Sequence, residues 1–408
     1  MKTIFNIGLR AALLGARFLF LIIAAKYLTG YDMGRYVIFS ATVSYMMFAS
    51  GLEFYRYSHR EVLKGIDVSC VFVSQISLYV VSLLLSISII VLVKGIDFDI
   101  FYFSIILITE HLIQESSRLK IVLGKYIQSN FLLFLRGVSW SVICATLMLM
   151  NAKVTFEDVI KVWAVCNFLS LIVTITFLRE INWWFGVKNI LDKDWFLRGA
   201  KVSALMFLAT MATRSTYLFD RYLIEYYSGL EVVAIYAIYM GIANSLVSFI
   251  DTGVLEVYYP RLIKAIQDSD YNKLLSCVSV ILKKLVIVAL VLSLGCFLFL
   301  DFIFLFIDKA EYLEYKTGFW VLWLALCLQS IVVLLNTIVY AREKDKENLI
   351  IDISRLVIFL LASLFFSSAS QNGLLSIVLG LLISVIFSLF LRLHTVFLIY
   401  IDIKRNSQ

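Results

Sequence analysis

The chain has 408 residues, of which 62% are hydrophobic and 16% charged, with a mean hydropathy of +0.92. Soluble domains run at about 45–50% apolar and about 25% charged, so a single soluble core is excluded, as is a loop-rich protein with only 1 Pro and 18 Gly. The net charge of +7 has no basic domain to carry it and therefore gives no argument for nucleic acid; its place is in the loops of a multi-pass membrane protein.

A span needs about 20 apolar residues to cross about 30 Å of hydrocarbon. Apolar runs between polar breaks predict twelve spans. The first six cover 4–28, 34–57, 67–93, 99–122, 126–150 and 156–180. The second six cover 201–226, 231–256, 285–307, 318–340, 348–368 and 373–397. The N-terminal run resembles a signal peptide, but Arg10 and Arg17 interrupt it and another apolar run follows at once, so it reads as an uncleaved first helix. Residues 261–284 read as one amphipathic surface helix leading into the ninth span. Pro260 falls just past the eighth span, so no span should be broken by proline.

The longest polar break, 183–200, is expected to be a cytoplasmic loop joining an N-terminal six-helix lobe (1–182) to a C-terminal one (201–408). Its Trp183 and Trp184, with Trp195, are expected at the headgroup level. Tyr31–Tyr36 (YDMGRY) and Glu231–Tyr236 (EVVAIY) occupy equivalent places between the first two spans of each half. The fold expected is all-α and polytopic, with about twelve transmembrane helices in two six-helix lobes around a central cavity. Lys and Arg are about three to one in favour of one set of loops, so both termini are expected in the cytoplasm.

Charges inside spans carry most of the functional information, because a central charge costs about 2.5–3.5 kcal/mol on insertion scales and therefore faces a partner or a cavity. Arg17, Arg136, Arg214 and Arg355 lie near the midpoints of spans one, five, seven and eleven, which are equivalent positions in a six-plus-six repeat. Glu110 lies at similar depth in span four beside His111, with Gln114, Glu115 and Arg118 on roughly the same face. Arg221 follows Arg214 by seven residues, as Arg17 follows Arg10. Asp220, Asp251, Glu256, Glu53 and Asp352 are the acids able to neutralise some of these arginines. Salt bridges that only fix helix packing, such as Glu53–Arg56 or Asp352–Arg355, compete with a binding role. The midplane excess is still cationic. Arg suits a diphosphate, since its planar fork donates bidentately and stays charged, whereas a cation-selective cavity would be lined with acids.

Several chemistries have no support. The six cysteines lie singly and form no C-x-x-C pair, and His59, His111 and His394 are scattered, so neither a disulfide framework nor a metal centre is expected. There is no P-loop motif for ATP, and no cofactor is implied. Asp97 and Asp99, at the edge of an external loop, are the nearest thing to a catalytic acid pair, and solvated loop aspartates explain them better.

The segment Ala24–Tyr36 (AAKYLTGYDMGRY) resembles the L-x-P-x-x-F-G-x-Y turn after the first helix of polysaccharide exporters. The segment Phe219–Tyr236 (FDRYLIEYYSGLEVVAIY) is similar to their second-half motif D-R-x-x-[IL]…[GS]-x-x-x-V-[GA]-x-Y. Gly30 and Ala234 stand where Pro and Gly are usual. Both motifs belong to the oligosaccharide flippase branch of the multidrug/oligosaccharidyl-lipid/polysaccharide exporter superfamily, with the O-antigen flippases most alike. The resemblance implies a bacterial inner-membrane protein that moves an undecaprenyl-diphosphate-linked repeat unit from the cytoplasmic to the outer leaflet by alternating access. Its partners would be that lipid-linked oligosaccharide, the bilayer, and the polysaccharide polymerase and chain-length machinery. Arg17, Arg136, Arg214 and Arg355 would attract the diphosphate, with Glu110, Asp220, Arg221, Asp251 and Glu53 in coupling or charge-pairing roles. Two alternatives stay open. A drug or cation antiporter on the same fold would depend on Glu110 and Asp251. A membrane-embedded polymerase or glycosyltransferase would alter polysaccharide chain length or linkage.

Overall fold

A computed structural model describes residues 2–93, 98–150, 152–268, 270–309, 311–342, 344–370 and 372–406; Asp97 and the side chains of Arg10 and Glu256 lie outside the described residues. Two compact units divide the chain at Met211/Ala212. The first holds α1 (Lys2–Tyr27), α2 (Gly30–Gly51), α3 (Tyr55–Leu63), α4 (Val68–Leu92), α5 (Ile100–Val122), α6 (Tyr126–Leu149), α7 (Phe156–Phe177) and α8 (Trp183–Lys188). Helix α9 (Lys193–Ser228) runs through the division. The second unit continues with α10 (Leu230–Ile250), a π-helical turn (Asp251–Leu255), α11 (Glu256–Gln267), α12 (Tyr271–Ile307), α13 (Glu311–Glu314), α14 (Lys316–Ala341), α15 (Asp345–Ala369) and α16 (Gly373–Asn406).

Twelve of these helices correspond one to one with the twelve predicted spans, and no strand occurs among the described residues. Eight are long and apolar enough to cross a membrane on composition alone, and α2 joins them if it is counted with α3 across a 48° bend. Helix α5 is not among the eight; it carries Glu110, Glu115, Arg118 and Lys120. The starts of the helices are written locally. Thr29, Asp67, Asp99, Thr155 and Asp270 each cap a helix by accepting from a backbone N–H of its first turn, which satisfies donors that have no intrahelical partner.

The units repeat one packing scheme. In the first, α5 packs on α6 and α7, and α2 on α4 and α5; in the second, α14 packs on α15 and α16, and α10 on α12 and α14. Helices α1 and α6 approach closely at Gly137, where a Cβ would lie 2.3 Å from Leu13 Cδ1 and 2.9 Å from Arg17 Nη2.

Two expectations need correction, the single helix over 261–284 and the anchoring role of Trp195. Residues 261–284 are not one helix: α11 ends at Gln267 and Asp270 caps a new start, its carboxylate accepting from Lys273 N at 3.0 Å. Pro260 falls past the eighth span, as expected, and lies inside α11, five residues beyond the end of the π-helical turn. It has no N–H to bond the carbonyl of residue 256, and such gaps in the ladder bend helices or widen them. Trp195 is not a headgroup anchor but is 2% exposed, packed with Phe54 and Tyr57, while Trp183 and Trp184 remain exposed. The polar break that contains it is strapped to α4: Asn182 N donates to Ser69 Oγ and Leu191 N to Ser74 Oγ, both at 3.0 Å.

Candidate functional site: buried charge in each unit

In the first unit the apolar faces of α5, α6 and α7 bring Glu110 and Arg136 together. Both are buried, with Arg136 Nε 3.0 Å from Glu110 Oε2. The same guanidinium donates through Nη1 to Gln114 Oε1 at 2.7 Å and to the Glu110 carbonyl at 3.2 Å. The other carboxylate oxygen of Glu110 accepts from Trp163 Nε1 at 3.0 Å and Asn167 Nδ2 at 2.9 Å. Glu110 is therefore fully occupied: one oxygen holds a cation and the other holds two α7 donors. Removing one partner of such a buried pair costs about 3–5 kcal/mol. Trp163 in turn stacks on Trp140 with centroids 4.7 Å apart. Arg17 lies exposed against Gly137, within electrostatic reach of Arg136 and Tyr36.

A second polar network surrounds the bend between α2 and α3. Leu52 and Glu53 adopt left-handed φ values of 49° and 53°, a conformation that costs an L-residue about 1–2 kcal/mol. Burial of Phe54 at 1% exposure and the 2.6 Å Glu53–Arg56 pair hold it. Beside it Glu115 pairs with Arg118 at 2.5 Å and accepts from Gln75 and the Tyr79 hydroxyl at 2.8 and 3.0 Å. Arg118 lies over the Tyr55 ring at 3.8 Å. Glu53, His111, Gln114, Glu115 and Arg118 line one small cavity of about 10 Å³, the size of a single water.

In the second unit the charges centre on α15 and α16. Arg392, 2% exposed, donates to Asn336 Oδ1 at 2.7 Å, to Asn348 Oδ1, and through Nη2 to Asp352 Oδ1 at 2.6 Å. Of the packing pairs that compete with a binding role, Asp352 meets Arg392 rather than Arg355, because α16 packs along α15 and offers a fork that meets three acceptors at once. Arg355 is 4% exposed and within electrostatic reach of both Asp352 and Arg392. Its Nε and Nη2 make no hydrogen bond among the described residues. Two guanidinium groups here face one carboxylate.

The remaining candidates are dispersed. Asp220 is fully buried and accepts from the Tyr236 hydroxyl at 2.7 Å, with Arg221 Nη1 at 3.2 Å; Arg221 also donates to the Tyr217 carbonyl. Arg214 is exposed on α9, and Asp251 opens the π-helical turn. No group of three or more metal-ligating side chains occurs among the described residues.

No protein-family model matches the sequence, and neither does any curated protein. Solved structures do match. The fold is similar to that of solved MATE and other MOP-superfamily transporters. An inward-facing multidrug resistance MATE family transporter of that superfamily superposes with a TM-score of 0.79 at 11% identity, covering 97% of this chain and 96% of the other. The outward-facing conformation of a MATE family transporter gives 0.61 at 15% identity over 98% and 96%. A MOP superfamily transporter from Pyrococcus furiosus, described as having a binding pocket of reverse polarity that suggests a different function, gives 0.54 at 13% identity over 99% and 94%. At these identities the likeness shows a shared fold and leaves the role to be argued from the residues.

Sequence reasoning missed Arg392 and Lys120. Arg392 lies toward the end of its span, and a search of span midpoints passes over it. Lys120 is fully buried, donating to the Phe177 carbonyl at 2.6 Å and to Glu180, which also takes Lys125. The i, i+4 and i, i+3 spacings of Asn348, Asp352 and Arg355 on one face of α15 were the available signal for a polar seam there.

Proposed function

We propose that the protein is a flippase for an anionic lipid-linked oligosaccharide, carrying an undecaprenyl-diphosphate-linked repeat unit of O-antigen or a related surface polysaccharide from the cytoplasmic to the outer leaflet by alternating access. Arg355 carries this reading: it is a buried cation, and Asp352, an acid within its electrostatic reach, is engaged by Arg392. A buried unmatched guanidinium is expensive, and an anionic ligand relieves that cost. Arg17 and Arg214 join Arg355 as the groups proposed to attract the diphosphate; Arg136, expected beside them, is already held by Glu110 and Gln114. In the same proposal the inner membrane is the location, both termini are cytoplasmic, and polymerase and chain-length machinery receive the product.

The second reading, a cation-coupled drug antiporter, is favoured by the multidrug transporters that share the fold. It requires acids available to a cation. Glu110 and Asp220 instead already hold internal donors; Asp251, at the start of the π-helical turn, is the other acid this reading names.

The deciding experiment measures the sidedness of the lipid-linked repeat unit in cells lacking the gene. Accumulation on the cytoplasmic leaflet, reversed by wild type and by Arg355→Lys but not by Arg355→Ala or Arg214→Ala at equal protein level, supports the flippase. Normal delivery to the outer leaflet in cells with no redundant flippase, together with dye resistance abolished by Asp251→Asn, establishes the antiporter instead.

A further inference from the structure

The cationic groove between α11 and α12 belongs to neither charge network described above. Helix α11 buries Leu262, Ala265 and Ile266 against Leu274 and Ile281 of α12 and against α14 and α16, which turns Arg261 and Lys264 outward. The groove so formed measures about 610 Å³ and is lined by Tyr258, Arg261, Lys264 and Lys273, with Asp268 as its acid. Lys284 lies beside the groove, its Nζ 4.8 Å from the Tyr258 ring centroid, and Arg261 lies 5.8 Å from the same ring. Lys273 is matched by Asp270 at 2.8 Å. Arg261, Lys264 and Lys284 against Asp268 leave the groove cationic.

Its depth follows from the length of α12. The helix has 37 residues, about 55 Å at 1.5 Å per residue, whereas the hydrocarbon layer is about 30 Å thick. The apolar stretch from Leu285 to Ile307 spans about 34 Å, and Lys283 and Lys284 mark its edge. Residues 271–284 therefore extend about 20 Å beyond the hydrocarbon, through the headgroup layer. Directly below Lys284 the helix presents exposed Ile287, Leu290 and Leu294, an apolar face for acyl chains under a cationic pocket for a headgroup.

We infer that this groove is a binding site for the phosphate headgroup of an anionic phospholipid, independent of what the protein transports. Each basic side chain at a membrane surface contributes about fivefold to anionic lipid binding.

The test uses the full chain in phosphatidylcholine nanodiscs, with retention of added phosphatidylglycerol read by native mass spectrometry. Arg261→Gln/Lys264→Gln should weaken phosphatidylglycerol retention about thirtyfold, and Lys284→Gln about fivefold. The pair Lys188→Gln/Lys193→Gln removes two exposed charges from the first unit and should leave retention unchanged. Arg261→Lys/Lys264→Arg should retain the lipid. If Arg261→Gln/Lys264→Gln proves poorly folded, Lys284→Gln and Arg261→Lys/Lys264→Arg carry the test. Equal losses in both glutamine pairs, or equal retention of phosphatidylcholine, would overturn the site. Displacement of the lipid by inorganic phosphate alone would overturn its assignment to a lipid.

Discussion

Neutralising Glu110 separates the energetic parts of the first buried network. Glu110→Gln keeps an amide oxygen for Trp163 Nε1 and Asn167 Nδ2 but strands Arg136, whose Nε lies 3.0 Å from the native carboxylate. A stranded buried charge costs about 3–5 kcal/mol. Across a unit of 211 residues, about 2–4 °C per kcal/mol places the fall in midpoint between about 6 and 20 °C. Glu110→Ala also leaves the two α7 donors unsatisfied, at about 1–3 kcal/mol each, and should melt lower still. Removing both charges in Glu110→Gln/Arg136→Met should recover part of the loss, since an uncharged pair no longer needs a counter-ion. The assay is thermal unfolding of the detergent-solubilised full chain, followed by loss of the monodisperse peak. A Glu110→Gln protein as stable as wild type, or a double variant less stable than Glu110→Gln alone, would refute the claim that Arg136 depends on Glu110.

Arg392→Lys should destabilise the second unit nearly as much as Arg392→Met, because an ammonium cannot span Asn336, Asn348 and Asp352 as the fork does; equal stability of Arg392→Lys and wild type would contradict this. Gly137→Ala places a Cβ against Leu13 and Arg17. Both contacts are ends of flexible side chains, so the expected outcome is a displaced Arg17 and a transport defect matching that of Arg17→Ala, with an unfolding midpoint near wild type. Glu180, in the segment after α7, is pushed up by burial but pulled further down by Lys120 and Lys125, so its pKa lies below the ordinary value of 4.5. Its stabilising contribution is present above about pH 4.5 and is lost as pH falls through the depressed folded value. Unfolding midpoints of wild type and Glu180→Gln should draw together as pH falls below 4.5 and through the depressed folded value, and curves that stay parallel throughout acid titration would exclude Glu180 as the titrating group.

The twelve helices were legible from the sequence because membrane spanning is a one-dimensional constraint. Each run must satisfy its own backbone and present apolar side chains over a fixed length, so apolar runs and capping residues such as Asp67, Asp99 and Thr155 locate them without knowledge of any neighbour. The anomalous charges were legible for the same reason. Their partners were not. Arg136 meets Glu110 and Gln114 across 26 and 22 residues of chain, and Asp352 prefers Arg392 at a separation of 40 over Arg355 at three. Such choices depend on which faces of α5, α6, α15 and α16 turn toward one another, and helix periodicity restricts that rotation without fixing it. Trp195 shows the same limit, since an aromatic in a polar segment reads as an interfacial anchor until the cluster of Phe54 and Tyr57 is seen to bury it. The sequence by itself determined where the helices lie and how much charge they carry; tertiary packing decided which of those charges meet a partner inside the protein, as Arg136 meets Glu110 and Arg392 meets Asp352.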